Sequence, residues 1–218
     1  MPSIATFLRS FTADLAAAYD PAEARALARR VLGHRLGLAP HELALSGGKA
    51  LSAQQHQRLT DDQRRLLANE PVQYILGTAP FLDLELEVGP GVLIPRPETE
   101  ELVQLVVAEQ RSVLTPRLLD VGTGSGCIAV ALGQYLPRAD VTGLDVSAEA
   151  LTIARRNGQR YGDRVRWLQT DVFGELTRAT LGGALDGLIS NPPYVPQREA
   201  AALAPHVRDH EPALALFV

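Results

Sequence analysis

The sequence predicts an α/β protein in which a doubly wound parallel sheet follows a small all-helical domain and a β-hairpin linker. Apolar side chains recur at helical spacing over the first 70 residues, whereas short apolar runs alternate with helical segments from residue 118 onward. Between these parts, residues 81–88 alternate apolar and acidic side chains, as half-buried strands do. We therefore expect a helical domain over 1–75, a hairpin linker over 76–96 and a sheet domain over 97–218.

Composition narrows the possible functions before any motif is considered. The chain has 218 residues and a net charge of −4, and neither half, divided at residue 90, carries an excess of basic residues. A basic nucleic-acid clamp is therefore not expected. Cys127 is the only cysteine, which excludes an intrachain disulfide and a cysteine-based zinc cage. With no signal-like N-terminus and no apolar run near the ~18 residues of a membrane span, we expect a soluble cytoplasmic protein without a metal site.

Three helices are predicted in the first domain from their caps. Ser3 precedes apolar residues that fall on one helical face, namely Ile4, Phe7, Leu8, Phe11 and Leu15. Asp20-Pro21 is a cap followed by proline at the first helical position, and it begins a helix that stops at Gly37. Ser52 begins a third helix, which reaches to about residue 69.

The hairpin and the start of the sheet domain are predicted from a change of period. Residues 81–88 are expected to form one strand, 89–91 a turn, and 92–94 the returning strand. A proline-rich connection follows, and residues 98–111 are predicted to form a helix with acidic residues in its first turn. Further on, we predict strands at 118–121, 140–145, 165–169 and 185–190, and helices at 125–135 and 147–160. Their alternation is typical of a parallel sheet.

A glycine-rich loop follows the first predicted strand of this sheet. Residues 120–126 read Asp-Val-Gly-Thr-Gly-Ser-Gly, and glycines there let the backbone turn and a ligand approach closely. Dinucleotide enzymes also place such loops at this point, and their fingerprint fits if it starts at Gly124, so glycine spacing leaves the cofactor class open. Asp120 at the strand end favours a cofactor with a charged amino-acid tail. The alternative is a purely structural turn.

Two acidic residues follow the next strands at the same predicted sheet edge. Asp145 ends the second strand and can accept hydrogen bonds from both hydroxyls of a ribose. Asp171 follows the third strand, where an adenine ring would lie if Asp145 holds its ribose. The alternatives are that Asp145 caps the helix that begins near Ser147 and that Asp171 is a loop or cap residue.

The strongest indication of chemistry is Asn191-Pro192-Pro193-Tyr194, directly after the fourth strand. Asn191 offers a side-chain carbonyl, and the prolines fix the Pro192 carbonyl without adding N–H donors. A planar NH2 group could donate one hydrogen to each oxygen, while Tyr194 supplies an aromatic wall. Such orientation can contribute ~7–11 kcal/mol to methylation of a nitrogen whose lone pair is delocalised. The alternative is a proline turn that ends a strand.

Over nearly its whole length, the chain resembles the release-factor glutamine methyltransferase family. The resemblance is carried by Pro71–Gly77, Val92–Glu100, Asp120–Gly126, Asp145, Asn191–Tyr194 and Glu211–Leu214. It implies a Rossmann-like, S-adenosylmethionine-dependent methyltransferase domain. The implied acceptor is the side-chain amide of the glutamine in the Gly-Gly-Gln motif of peptide-chain release factors, which the helical domain would help to dock. No direct nucleic-acid or membrane partner is implied, and we expect a monomer.

The resemblance also assigns the site residues. The cofactor would contact Asp120, Gly122, Thr123, Gly124, Ser125, Gly126, Asp145, Asp171, Val172 and Asn191. The catalytic residues would be Asn191, Pro192 and Tyr194, and the substrate pocket would also include Leu93, Arg96 and Pro193.

The sequence departs from the family pattern in the number of strands. The family's sheet has seven strands, whereas four are predicted before residue 218, so we expect the C-terminal strands to be missing and the fourth strand to form an exposed edge. Two alternative functions stay open. One is an adenine-specific nucleic-acid methyltransferase, which the charge balance disfavours. The other is a truncated, non-catalytic binding fragment. A nicotinamide oxidoreductase is a weaker third.

Overall fold

The computed structural model describes residues 1–174, 176–177 and 179–218. The chain divides into two compact units, residues 1–76 and residues 77–218. Within the described ranges, no helix has both the length and the apolar character that crossing a membrane requires.

The first unit consists of helices whose ends follow the predicted caps. They are α1 (Ile4–Leu15), α2 (Pro21–Leu36), α3 (Pro40–Leu45), α4 (Ala53–Leu67) and α5 (Val72–Leu76). The Ser3 and Ser52 side chains accept hydrogen bonds from backbone N–H groups of the first turn, and Gly37 ends α2 at a φ of +64°. The three predicted helices are confirmed, and α3 and α5 are additional.

An ion pair and a hydrogen bond link α2, α4 and α5 within the core of this unit. Phe11, Leu15 and Leu32 are fully buried. Arg35 of α2 donates to Asp62 of α4 from Nε at 2.7 Å and from Nη2 at 3.1 Å. Its Nη2 also donates to the backbone carbonyl of Ile75 in α5 at 2.5 Å. Both charged side chains are almost completely removed from solvent, so the pair is part of the core of this unit.

The hairpin lies earlier in the chain than predicted. Strands β1 (Thr78–Phe81) and β2 (Leu84–Glu87) pair antiparallel, with Thr78 opposite Glu87. The prediction of one strand over 81–88 and a returning strand over 92–94 is therefore wrong.

A break in the two-residue period marks the true turn. Phe81 and Leu84 are both buried although they are three positions apart, which a continuous strand does not allow. Leu82 between them adopts a φ of +53°, and its N–H donates to Glu100 Oε1 at 3.0 Å. The apolar residue at the turn concealed it in the sequence.

The remaining elements confirm a parallel α/β arrangement. They are α6 (Pro97–Gln110), β3 (Arg117–Val121), α7 (Cys127–Tyr135), β4 (Asp140–Asp145), α8 (Ala148–Arg160), β5 (Val165–Gln169), β6 (Gly187–Ser190), a 3-10 helix (Gln197–Ala202), α9 (Pro205–Arg208) and α10 (Ala213–Leu216). Each element predicted after the hairpin begins and ends within two residues of its predicted bounds.

The four-stranded sheet has the order β5-β4-β3-β6, and all its strand pairs are parallel. Since β3 pairs with both β4 and β6, the carboxyl ends of these strands meet at one edge, where Val121 lies opposite Leu144 and Ser190. As predicted, β6 is an edge strand of the described sheet, and its Leu188 is 63% exposed.

Asn157 of α8 fastens the hairpin to the glycine-rich loop. Its Oδ1 accepts from the Glu87 N–H at 2.7 Å, and its Nδ2 donates to the Glu87 carbonyl and to the Ser125 carbonyl, both at 2.9 Å. Asn157 is fully buried, and these bonds satisfy its amide. The hairpin therefore helps to hold the loop at the end of β3.

Candidate active site

A cavity of about 660 Å³ lies at the carboxyl edge of the sheet. This volume is within the range of small-molecule and cofactor sites, and the edge is where ligands of open α/β sheets bind. Most predicted site residues line the cavity: Leu93, Arg96, Gly122, Thr123, Gly124, Ser125, Asp145, Asp171, Val172, Asn191, Pro192 and Pro193. Three do not, namely Asp120, Gly126 and Tyr194.

The glycine-rich loop presents open backbone to the cavity. The N–H groups of Gly122 and Thr123 both donate to the Leu144 carbonyl at 2.9 Å, which fixes the loop to β4. Gly122 and Gly124 have φ values of +71° and +55°. A Cβ atom on Gly122 would meet no atom within 4 Å, and one on Gly124 would meet only a backbone oxygen at 4.0 Å. A bound group can therefore approach this backbone closely.

Asp145 both supports the loop and faces the cavity. Its Oδ2 accepts from the Gly124 N–H and its Oδ1 from the Ser147 N–H, each at 2.9 Å. The residue is 9% exposed and lines the cavity. Each carboxylate oxygen has a further lone pair, so Asp145 can also accept hydrogen bonds from ligand hydroxyls. The cap and the ligand interpretations of this residue are compatible.

Asp120 and Gly126 lie behind the loop rather than on the cavity wall. Asp120 is fully buried, and its Oδ2 accepts from Thr123 Oγ1 at 2.5 Å. Burial raises the pKa of its carboxyl to about 7, against the lowering effect of that hydrogen bond. A Cβ atom on Gly126 would meet the Trp167 ring at 2.8 Å, so this glycine makes room for packing. Asp120 therefore supports the loop through its hydrogen bond with Thr123, and Gly126 does so by allowing close packing against Trp167.

The Asn-Pro-Pro segment enters the cavity at the end of β6. The Asn191 Nδ2 group donates to Thr99 Oγ1 at 3.1 Å, and Thr99 is itself a buried residue of the cavity wall. The neighbouring Ser190 hydroxyl donates to the Val121 carbonyl at 2.8 Å and so holds this strand end against β3. Tyr194 is 72% exposed, and its ring does not form the predicted wall in this structure.

An ion pair whose carboxylate is fully buried joins two loops of the cavity wall. Glu211 accepts from the Ile94 N–H at 3.0 Å and from Arg96 Nη2 at 2.6 Å. Its side chain is fully buried, whereas that of Arg96 is 31% exposed. Arg96 and the residues that follow Glu211, from Pro212 to Ala215, line the cavity together. This pair therefore fixes the proline-rich connection to the C-terminal loop.

Sequence reasoning missed several residues of the site. Thr99 lies two residues after the proline-rich connection and was assigned no role, although a hydroxyl in a first helical turn next to that motif was a usable signal. Cys127 also lines the cavity, and burial raises the pKa of its thiol to about 12, so it is uncharged at neutral pH and a poor nucleophile. Among the described residues, no cluster of three or more His, Cys, Asp or Glu could hold a metal ion.

Comparison with known proteins finds a matching family model for each of the two units. The family model described as "PrmC N-terminal domain" matches residues 6–77, and that described as "Methyltransferase small domain" matches residues 99–207. Three similar curated proteins are each named "Release factor glutamine methyltransferase". The one from Bacteroides thetaiotaomicron is 42% identical over 218 residues, which are 100% of this chain and 76% of that protein. Those from Chlorobaculum tepidum and Gloeobacter violaceus are 43% and 44% identical over 89% and 83% of this chain, and the matches span 68% and 62% of those proteins.

Proposed function

The chain belongs to the release factor glutamine methyltransferase family, and from that premise we propose that it methylates a glutamine side-chain amide. The donor is S-adenosylmethionine, and the acceptor is the glutamine of the Gly-Gly-Gln motif in peptide-chain release factors. The observation that carries the proposal is one cavity lined by the glycine-rich loop, by Asp145 and by the carbonyl-bearing pair Asn191 and Pro192.

The chain's residues fit the donor. The open backbone of Gly122 and Gly124 would lie against its methionine part, Asp145 would hold the ribose, and Asp171 and Val172 would flank the adenine. Bound there, the donor supplies a methyl carbon activated by a positively charged sulfur. Most of the lining is apolar, which lowers the local dielectric constant and so strengthens the few polar contacts.

Asn191 and Pro192 would hold the acceptor amide. A carboxamide nitrogen is a weak nucleophile because its lone pair is delocalised into the adjacent carbonyl. If Asn191 Oδ1 and the Pro192 carbonyl each accept one N–H, the nitrogen is fixed with its lone pair directed away from both oxygens. After methylation the nitrogen loses one proton, so no strong general base is required.

The remaining predicted residues are proposed to recognise the rest of the release factor. Leu93 and Arg96 line the cavity, and the exposed Tyr194 ring follows the Asn-Pro-Pro segment. Residues 1–76 are proposed to dock the substrate, which the match of residues 6–77 to a family-specific domain model supports.

The test is methyl transfer from isotope-labelled donor to a release factor, either wild type or with the motif glutamine changed to alanine. We expect label only in the wild-type factor, and label retained in the changed factor would exclude the proposed target. Asn191→Ala should reduce transfer by about 10²–10³-fold, because one of two positioning oxygens is lost. Donor binding measured by calorimetry should weaken far less than transfer, because Asn191 is only one of several residues expected to contact the donor. Parallel incubations with DNA and RNA test the adenine-methyltransferase alternative.

A further inference from the structure

The side-chain amide of Asn191 can adopt two orientations that have nearly the same shape. One presents the carbonyl oxygen to a ligand, and the other, turned by about 180°, presents the NH2 group. Only the first can accept a hydrogen bond from a substrate amide, since the second would place donor against donor. The proposed chemistry therefore depends on what fixes this rotation.

Thr99 contacts Asn191 at its NH2 group, whose direction distinguishes the two orientations. It lies in the first turn of α6, is 5% exposed, and belongs to the cavity wall. Its Oγ1 accepts from Asn191 Nδ2 at 3.1 Å, over a separation of 92 residues along the chain. With the NH2 group engaged there, Oδ1 is the amide atom that remains for a ligand.

We propose that Thr99 is a positioning residue that holds the Asn191 amide with its carbonyl oxygen toward the substrate nitrogen. The inference rests on the proposed function and deepens it. It assigns orientation to a hydroxyl outside the Asn-Pro-Pro-Tyr segment, so that the acceptor site is built from α6 as well as from the end of β6. Replacing the hydroxyl by a methyl group removes this acceptor, so the observed rotation of the Asn191 amide loses the hydrogen bond that favours it.

The test compares Thr99→Val, which keeps the shape but loses the oxygen, with Thr99→Ser, which keeps the oxygen. We expect Thr99→Val to lower kcat for release-factor methylation by about 10–100-fold, because a misdirected group costs most in the reacting geometry. KM for the release factor and Kd for the donor should change by less than about threefold. Thr99→Ser should recover kcat to within a few-fold. Wild-type kcat in Thr99→Val, or an equal loss in both variants, would overturn the proposal.

The NMR signals of the Asn191 side chain distinguish a loss of the hydrogen bond to Thr99 from a general loss of structure. In 15N-labelled protein, the Asn191 side-chain NH2 signals can be identified by their loss in Asn191→Ala. We expect these signals to shift in Thr99→Val, where the hydrogen bond is broken, and to stay near their wild-type positions in Thr99→Ser. Unchanged Asn191 signals in Thr99→Val would contradict the proposal.

Thr142→Val is a matched control. Thr142 is 2% exposed, and its Oγ1 accepts from Arg166 Nη2 at 3.0 Å, but it does not line the cavity. This substitution should lower Tm without lowering kcat, and a kcat loss as large as in Thr99→Val would show that the loss comes from folding. Absence of transfer by the wild-type enzyme would refute the proposed function, whereas transfer that Thr99→Val leaves intact would refute only this inference.

Discussion

The helical unit and the sheet unit differ in where they bury polar side chains. In residues 1–76 the buried polar residues are Ser46 and Asp62, and Asp62 is neutralised by Arg35. In the described part of residues 77–218 there are eight: Thr99, Asp120, Thr123, Ser125, Thr142, Asp145, Asn157 and Glu211. All of these except Thr142 line the cavity or bond to a residue that does.

This difference indicates that buried polar residues stabilise the fold in the helical unit, whereas in the sheet unit they shape the candidate site. Burying a polar group costs free energy unless it is fully hydrogen-bonded, so a fold concentrates such groups only where they are used. In the first unit, the single buried ion pair joins helices. In the second, the buried polar groups set the shape of a glycine-rich loop, an asparagine amide and a proline-rich connection. Substitutions should therefore have different consequences in the two units.

The largest expected effect is on the stability of the helical unit. Asp62→Ala leaves the Arg35 guanidinium buried without its carboxylate, which typically lowers the free energy of unfolding by about 3–5 kcal/mol. Far-UV circular dichroism reports the helices of both units, whereas Trp167, the only tryptophan, reports the sheet unit through its fluorescence. In urea, we expect the circular dichroism transition to begin earlier than in the wild type, and Trp167 fluorescence reports at what urea concentration the sheet unit unfolds.

Asp61→Ala is the matched control for this prediction. Asp61 is the neighbouring residue and pairs with Arg64, but both side chains are exposed. An exposed pair of this kind contributes no more than about 1 kcal/mol, so the control should change neither transition appreciably. If Asp62→Ala left the circular dichroism transition at its wild-type position, the Arg35–Asp62 pair would not be a stabilising part of the helical unit.

The second prediction concerns the pH dependence of the sheet unit. Burial raises the pKa of Asp120 from its ordinary 3.8 to about 7. Between these values the folded state holds a proton that the unfolded state has released, so this residue's contribution to stability is full below about pH 4 and is lost as pH rises to 7. The total change is at most about 4 kcal/mol.

Asp120→Asn isolates that contribution, because an asparagine oxygen can still accept the Thr123 hydrogen bond but does not titrate. We expect the free energy of unfolding of the wild type, minus that of Asp120→Asn, to fall as pH rises from 4.5 to 7 and to level off above 7. The measurement is urea unfolding followed by Trp167 fluorescence at each pH. A difference that is flat or rises with pH would show that Asp120 is not a buried, protonated carboxyl.

The sequence predicts a region well when the interactions that form it are local, between residues close together in the chain. The helices and the parallel sheet are specified locally by caps, by glycines and by apolar period, and those elements are confirmed. The hairpin was misplaced because Leu82, an apolar residue at a positive φ, continued the apolar pattern through the turn. The turn at Leu82-Asp83 contains no Gly, Asn or Pro, and its one turn-favouring residue, Asp83, is hidden among the acidic residues that alternate through the strand.

In the candidate site, too, the sequence predicts the contiguous motifs but not the contacts between distant residues. The glycine-rich loop and the Asn-Pro-Pro segment are contiguous motifs, and the sequence places them at one sheet edge. The bond from Asn191 to Thr99 and that from Asn157 to Ser125 join residues 92 and 32 positions apart, and no local pattern encodes them. Asp120 and Gly126 were assigned to the cavity because they belong to the motif, yet the structure places them behind the loop.

The smallest expected effect comes from Glu211→Gln, which sharpens the comparison within the sheet unit. A glutamine can still accept one of the hydrogen bonds from Ile94 and Arg96, but it cannot neutralise the guanidinium. Because Arg96 is 31% exposed, water compensates part of the loss, and we expect a cost of about 1–2 kcal/mol in the Trp167 transition. The connection around Arg96 should loosen, so KM for the release factor should rise a few-fold while Kd for the donor stays unchanged.

Glu199→Gln, an exposed substitution with a weak partner, is the control and should change neither constant. A rise in donor Kd with an unchanged KM would place the Arg96–Glu211 pair on the donor side of the cavity, because only a residue that shapes the donor's pocket would weaken its binding without affecting the release factor.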